Sequence, residues 1–112
     1  MIRIENPTVI ATHDFTWHKK DGTEVPIHVM IGAPYRQEID WACPCAIFGL
    51  EGRYPDIVGI SGLQALSLAL RLLRKRITEM VEEGEVFDLN ADGCKLGLES
   101  IATLFGIGCC SD

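Results

Sequence analysis

The segment from Asp88 to Glu99 has the residue pattern of a calcium-binding loop. Carboxylate and amide side chains stand at loop positions 1, 3 and 5, a glycine follows at position 6, and a glutamate stands at position 12. Calcium prefers oxygen ligands at this spacing, and the glutamate binds it through both carboxylate oxygens. The candidate ligands are Asp88, Asn90, Asp92, the backbone carbonyl of Cys94, and Glu99.

The surrounding sequence favours a different interpretation of this segment. Position 8 of the loop, where an aliphatic side chain usually pairs with a second loop, is Lys95, and Gly84 interrupts the helix that would lead in. No second copy of the pattern occurs in the chain. A polar turn accounts for residues 90–93 equally well, because asparagine, aspartate and glycine are typical turn residues. We therefore predict no metal and no other cofactor, with calcium as the alternative.

Two of the five cysteines, Cys43 and Cys45, alternate onto the same face of a predicted strand. With another cysteine or a histidine they could hold a metal through thiolates. Their spacing is tighter than the Cys-x2-Cys of a zinc knuckle, and a strand holds its side chains apart. We interpret them as small buried hydrophobic residues in the reduced state. A cysteine nucleophile needs a histidine beside it, which the sequence does not place, so we predict no catalytic residue and no enzyme activity.

Alternating apolar residues predict two strands, over residues 8–17 and 25–33. A three-residue loop that ends at Gly22, with this glycine in the left-handed conformation, sets Phe15 opposite Ile27. A two-residue loop would instead oppose an apolar face to a polar face, because a shift of one residue exchanges the two sides of a strand. We therefore predict the three-residue loop.

The same register places two histidines in different settings. Asp14 falls opposite His28 on the outer face, and His13 falls opposite Val29 on the apolar face. A carboxylate and an imidazole side by side could be half of a proton-transfer site, but no nucleophile is placed beside them. We interpret His13 as a core histidine.

The segment from Ser61 to Glu83 predicts one long helix. Ser61 followed three residues later by Gln64 forms a capping box, and Gly84 ends the helix. The apolar stripe is wide enough to pack on a sheet. Its predicted members are Leu63, Leu66, Leu70, Leu73, Ile77 and Met80 or Val81, widened by Ala65, Ala69 and Leu72.

The opposite side of this helix is charged. Lys75 stands four residues before Glu79, a spacing that favours an ion pair on an exposed helix face. A basic cluster consists of Arg71, Arg74, Lys75 and Arg76. We interpret it as the solvated side of the helix, paired with the acidic residues of 79–85, with an acidic partner as the alternative.

Two further strands and their connections complete the fold. Residues 41–50 predict a third strand, in which Pro44 marks an edge, a bulge or an early strand position. Residues 57–60 predict a short fourth strand, residues 34–40 a polar loop, and residues 51–56 a turn.

This order of elements predicts an α+β fold: an antiparallel meander of about four strands, with the long helix of the C-terminal half packed on one face. The chain is predicted to be one domain, residues 1–112. Its parts are strands within about 8–60, the helix at about 61–83, a hairpin or loop and a short helix at about 85–106, and a frayed tail at 107–112.

Composition excludes several classes of protein. Hydrophobic residues make up 47% of the 112 residues and charged residues 23%, which is typical of a globular domain. The net charge of −6 argues against general affinity for nucleic acid, which needs a basic surface. The first residues lack a signal-peptide pattern, and Arg71 interrupts the apolar run of the long helix well short of a membrane span. We therefore expect no membrane span and a cytoplasmic protein.

The stretches WACPCAIFGL at 41–50 and GISGLQALSLAL at 59–70 resemble the signature of an uncharacterised family of small bacterial proteins, a domain of unknown function. The resemblance covers about residues 8–83. Trp41, Cys43, Pro44 and Gln64 match the family pattern, whereas Ser61 and Gly62 stand where an acidic cap and a small polar residue are expected. The resemblance implies a small α+β fold and no particular activity.

We expect a non-enzymatic protein that acts by binding another protein or itself. The apolar content and the broad leucine face of the helix leave more apolar surface than one small sheet covers, which favours a homodimer. The acidic charge also fits a protein that neutralises a basic toxin, as immunity proteins do. The alternative is a metal-binding protein that uses either the loop from Asp88 to Glu99 or the thiolates of Cys43 and Cys45.

Overall fold

The computed structural model describes residues 3–88 and Phe105. Eight strands and one helix follow one another in this part of the chain. They are β1 Val9–His18, β2 Glu24–Gly32, β3 Tyr35–Arg36, β4 Trp41–Cys43, β5 Cys45–Phe48, β6 Gly52–Arg53, β7 Ile57–Gly59, α1 Gly62–Glu82 and β8 Val86–Asp88.

The strands form two antiparallel sheets. The first has five strands in the order β6-β5-β2-β1-β8, and the second has three strands in the order β3-β4-β7. Helix α1 packs mainly on β4 and β7 and also reaches β5 and β2. The α+β class, with antiparallel strands and one long helix, is confirmed.

The hairpin of β1 and β2 has the predicted register. Phe15 lies opposite Ile27, and Asp14 lies opposite His28. The turn has the predicted length, because the N–H of Gly22 donates to the carbonyl of Lys19 at 3.0 Å and Gly22 has a φ of +92°. A left-handed residue at this place matches the right-handed twist of the two strands.

The predicted third strand is wrong as one element, because Pro44 divides it between the two sheets. β4 belongs to the three-stranded sheet and β5 to the five-stranded sheet. Pro44 has no N–H to donate, but its carbonyl accepts the N–H of Gly32 at 2.9 Å. A Cβ on Gly32 would lie 3.0 Å from the proline ring, so a side chain there would force the ring to shift.

Two connections predicted to lack regular structure contain short strands. β3 lies within the predicted loop at 34–40, and β6 lies within the predicted turn at 51–56. Both are two-residue strands at sheet edges, too short for an alternating pattern to show in the sequence.

Both predicted ends of the helix are confirmed. The Ser61 hydroxyl accepts the N–H of Gln64 at 3.1 Å, and the Gln64 side chain accepts the N–H of Ile60 at 2.7 Å, one residue earlier than in a standard capping box. At the other end Gly84 has a φ of +95° and its N–H donates to the carbonyl of Val81. No helix among the described residues is long and apolar enough to cross a membrane.

The buried face of α1 is rotated from the predicted stripe. Its fully buried residues are Ala65, Ala69, Leu73 and Ile77, which follow one another at intervals of four. Leu63, predicted to be in the core, is 76% exposed. Small residues lie at the centre of the contact because the helix approaches β7 so closely: a Cβ on Gly59 would lie 2.6 Å from the backbone nitrogen of Ala65.

Strand β8 extends the five-stranded sheet by pairing with β1, with Phe87 opposite Trp17. The Phe87 ring meets the Phe15 ring edge to face at 5.3 Å, an arrangement that aromatic pairs favour. The Trp17 indole also donates to Glu85 at 3.0 Å. The predicted hairpin and short helix beyond Asp88 lie outside the described residues, apart from Phe105.

Candidate functional site

The most exposed large apolar side chains of the described residues belong to chain segments at one end of the three-stranded sheet. Because Trp41 of β4 pairs with Gly59 of β7, the chain before β4 and the chain after β7 share that end. Ile39 stands there with 92% of its surface exposed, Ile60 with 82%, and Leu63 in the first turn of α1 with 76%. We call these three residues the apolar end surface.

Neighbouring features extend this surface. Val58, 43% exposed, lies on β7, which is an edge strand of its sheet in the described structure. Edge strands present free N–H and C=O groups to which another chain can pair. Glu38 and Asp40 flank Ile39 in the sequence, and the Asp40 carboxylate accepts from the side chain of Gln37 at 2.6 Å. An apolar centre with a polar rim is the usual composition of a protein-binding surface.

Packing beneath this surface holds it in place. Trp41 is half-buried and packs against the core. A Cβ on Gly62 would lie 3.3 Å from its indole ring. Gly59 approaches the backbone of Ala65 more closely still, so the start of α1 is held against the sheet. Leu63 points away from the core.

The outer face of the five-stranded sheet carries the predicted pair of Asp14 and His28. The Nδ1 atom of His28 lies 2.5 Å from Oδ1 of Asp14, and the Phe48 ring stacks on the imidazole at 6.1 Å. These side chains, with Thr16 and others, line a shallow cavity of about 440 Å³. Both side chains are largely exposed, and exposed pairs of this kind contribute less than about 1 kcal/mol to stability.

A second histidine–carboxylate pair stands on the same face. Nε2 of His18 contacts the carboxylate of Asp88, and Nδ1 of His18 lies 3.5 Å from Glu24. Asp88 is the first residue of the candidate calcium loop, and the structure directs its carboxylate to His18. The other candidate ligands of that loop, Asn90, Asp92, Cys94 and Glu99, lie outside the described residues.

Cys43 and Cys45 are both fully buried in the core and are free thiols. Burial raises the pKa of Cys43 to about 11 and the pKa of Cys45 to about 12, so both are protonated at neutral pH. The Cys43 thiol donates to the carbonyl of Gly32 at 3.3 Å. Thiols without access to solvent and without thiolate character do not act as nucleophiles.

A sequence comparison places these features in a family. The family described as Domain of unknown function (DUF6968) matches residues 11–98 of the chain. The chain belongs to this family. No curated protein and no solved structure matches the chain.

The segment shared with DUF6968 contains a buried carboxylate that the sequence analysis missed. Asp56 is 5% exposed, and its oxygens accept from Tyr35 at 2.7 Å, from Arg53 at 2.7 Å and from the N–H of Ile4 at 2.8 Å. Burial, followed by the bond to Asp56, raises the pKa of Tyr35 to about 12. The sequence pattern did not indicate the cluster, because its members come from three separate parts of the chain: Ile4, Tyr35 and residues 53–56.

The cluster around Asp56 joins the two sheets of the DUF6968 domain. Tyr35 belongs to β3 of the three-stranded sheet, and Arg53 belongs to β6 of the five-stranded sheet. Every donor that reaches the carboxylate is part of the fold, so we interpret the cluster as structural.

The basic residues of α1 are only partly paired within the described residues. Arg76 donates to Glu51 at 2.6 Å and also to Glu79, and these bonds raise the pKa of its guanidinium. The expected ion pair between Lys75 and Glu79 is wrong, because Glu79 pairs with Arg76, three residues away on the helix. The helical periodicity of the sequence correctly predicted that Lys75 lies on the exposed side of α1.

Metal-binding geometry is absent from the described residues. Between residues 3 and 88, no three side chains of histidine, cysteine, aspartate or glutamate come together in an arrangement that could hold an ion. Each of the two outer histidines is engaged with a carboxylate instead.

Proposed function

We propose that this protein is a non-enzymatic binding protein that acts through the apolar end surface. The observation that carries the proposal is the exposure of Ile39, Ile60 and Leu63 at one end of the three-stranded sheet, at 92%, 82% and 76%. Burial of apolar surface contributes about 25 cal/mol for each Å² removed from water. Covering these three exposed side chains would therefore contribute to binding.

The packing beneath this surface supports the same proposal. Binding interfaces work best on elements that do not rearrange, and here the close contact of Gly59 with Ala65 and of Gly62 with Trp41 holds the start of α1 on its sheet. Leu63, a member of the apolar stripe that the sequence predicted, is the exposed residue of this stripe at the apolar end surface.

Charge supports a partner with basic groups around an apolar centre. The net charge is −6, and Glu38 and Asp40 lie beside Ile39. Complementary charge speeds association and selects partners, as in the neutralisation of a basic toxin by an immunity protein. Self-association through the same surface is the second form of the proposal, with β7 of one copy beside β7 of the other.

The state of the cysteines supports a cytoplasmic location within this proposal. Cys43 and Cys45 lie on either side of Pro44 as free thiols in the core. Reduced cysteines are the rule in the cytoplasm, whereas small secreted domains use theirs in disulfides.

The test is the doubly substituted variant Ile60→Asp with Leu63→Asp. The matched control carries Val9→Asp with Ile10→Asp, two apolar residues of β1 that are about half exposed. Sedimentation equilibrium of both variants and the wild type measures self-association. Capture on an immobilised basic protein array measures binding to a partner.

We expect the end-surface variant to lose at least tenfold in affinity, since each buried charge at an interface centre costs more than about 1.4 kcal/mol. The β1 control should retain wild-type association. Equal losses in the two variants would contradict the assignment of the binding site to the end of the three-stranded sheet.

A further inference from the structure

A groove of about 320 Å³ lies along one side of α1. Leu70 and Phe105, which are both half-buried and pack against the core, provide the apolar part of its lining. Ser67, Arg71 and Arg74 provide the polar part, and residues three and four apart on a helix stand on the same face. Sites for small molecules combine apolar walls with a few polar groups in this way, and their volumes begin at about 300 Å³.

The two arginines of this groove have no partner within the described structure. Arg53 and Arg76 each pair with a carboxylate of the fold, at 2.7 Å and 2.6 Å. Arg71 and Arg74 make no ion pair and no side-chain hydrogen bond with any other described residue. Lys75, exposed beside them, adds a third positive charge. This face of α1 therefore attracts anions, although the chain as a whole has a net charge of −6.

We propose that this groove binds a small phosphate monoester that carries an apolar ring. The phosphate lies between Arg71 and Arg74, and the ring lies against Leu70 and Phe105. A phosphate monoester carries close to two negative charges at neutral pH, which matches the charge of two guanidinium groups. The planar fork of a guanidinium also fits two phosphate oxygens at once, and the hydroxyl of Ser67 can donate to a third.

Other anions fit this groove less well. A carboxylate brings only one charge to the two arginines. A polyanion such as nucleic acid would have to approach a chain of net charge −6, which repels it beyond the groove. The groove shares no residue with the apolar end surface, so this proposal goes beyond protein binding and does not depend on it.

Three probes test the proposal on the full chain: 1-naphthyl phosphate, 1-naphthol and inorganic phosphate. Titrations followed by amide chemical shifts give a Kd for each probe and show where it binds. We expect shifts at Leu70, Arg71 and Arg74, and a Kd for the ester about tenfold lower than for 1-naphthol, the combined effect of two exposed charge pairs. Inorganic phosphate, which lacks the ring, should also bind more weakly than the ester.

Each probe can also contradict the proposal. Absence of shifts in the groove with 1-naphthyl phosphate would overturn it. Equal affinity for the ester and 1-naphthol would overturn the role of the arginines. Equal affinity for the ester and inorganic phosphate would overturn the role of Leu70 and Phe105.

A double variant and its matched control locate the charge pairs. Arg71→Gln with Arg74→Gln should remove the preference for the ester and leave the Kd of 1-naphthol unchanged. Arg3→Gln with Arg36→Gln removes the same charge from two exposed arginines outside the groove, and this control should keep the preference. Equal loss in the two double variants would show a general effect of net charge and overturn the site.

Phe105→Ala locates the ring. It should weaken both naphthyl probes and leave inorganic phosphate unchanged, because the substitution removes apolar surface and no charge. Unchanged binding of the naphthyl probes would overturn the placement of the ring. The comparison of the three probes on the wild type needs no substitution, so a variant that folds poorly leaves that test in force.

Discussion

The two sheets of this protein are stabilised by different means. The five-stranded sheet is built on β1 and β2, strands of 10 and 9 residues whose cross-strand pairs extend over nearly their whole length. The three-stranded sheet has strands of only two or three residues. Such short strands hold few ladder bonds, so the smaller sheet depends on close contact with α1 and on the Asp56 cluster.

This difference indicates where substitutions should matter most. In the five-stranded sheet many cross-strand pairs contribute to stability, so a single substitution at its surface should have a small effect. In the three-stranded sheet a few contacts carry the arrangement, among them Gly59 against Ala65 and Tyr35 against Asp56.

Asp56→Asn should have the largest effect, with a loss of about 3 kcal/mol in the free energy of unfolding. The substitution removes the charge that Arg53 pairs with and sets an amide N–H₂ where only acceptors are useful. Urea unfolding followed by circular dichroism measures the loss. Asp40→Asn, at a half-exposed aspartate, is the control and should cost less than about 0.5 kcal/mol. Similar losses in both variants would show that the Asp56 cluster contributes no more to stability than a half-exposed aspartate does.

Gly59→Ala should destabilise the protein by about 2 kcal/mol, because the new methyl group would meet the backbone of Ala65 at 2.6 Å and neither can move freely. The comparison is Gly22→Ala in the β1–β2 turn, where space is open and only the positive φ opposes the change, at about 1 kcal/mol. Thermal melts rank the two variants. A milder effect at Gly59 than at Gly22 would contradict the view that helix contact holds the smaller sheet.

Alkaline pH should unfold the core where the sheets meet. The pKa of Cys43 is raised to about 11 and that of Cys45 to about 12, chiefly by burial, so the unfolded chain releases these protons at lower pH than the folded one. Stability should therefore be constant below the ordinary thiol pKa and fall from about pH 9 upward, by up to about 1.4 kcal/mol per pH unit for each thiol.

Cys45→Ala separates this thiol effect from other alkaline titrations. Urea midpoints at pH 7.5 and pH 10 should differ less in this variant than in the wild type, whatever its stability at neutral pH. An unchanged difference would show that the thiol does not titrate on unfolding.

Asp14→Asn should change the free energy of unfolding by less than about 1 kcal/mol, since the pair with His28 is exposed on the outer face of the larger sheet. Urea unfolding at low and high salt checks this, because screening should reduce even the small effect. A loss comparable to that of Asp56→Asn would break the contrast between the two sheets.

Calcium should have the smallest effect. We expect melts in excess calcium and in chelator to agree within about one degree, because the Asp88 carboxylate is already engaged with His18. A rise in melting temperature with calcium would show that the loop from Asp88 to Glu99 binds the ion, since a ligand of the native state stabilises it.

Local rules explain what the sequence predicted well. The glycine at the end of a three-residue loop and the alternation of apolar residues specified the register of β1 and β2, including the contact of Asp14 with His28. Ser61 and Gly84 marked the ends of α1 for the same reason, because capping depends only on neighbouring residues.

The apolar end surface could not be predicted, because tertiary contact decides it. Periodicity alone placed Leu63 in the core stripe, whereas the close approach of Gly59 to Ala65 makes the alanines the centre of the helix contact. The pair of His18 and Asp88 was missed because β8 joins β1 from 70 residues away. Pro44 was noticed, but whether it bent a strand or divided it depended on the second sheet.

The passage of the chain through Pro44 has a consequence for local opening. One residue separates β4 from β5, and its carbonyl is held by the N–H of Gly32. We expect that a linker of one residue is too short for one sheet to unfold while the other stays folded. The amides of β4 and β5 should therefore exchange with solvent in the same cooperative event, and a protein bound at β7 should slow exchange in the larger sheet, which it does not touch.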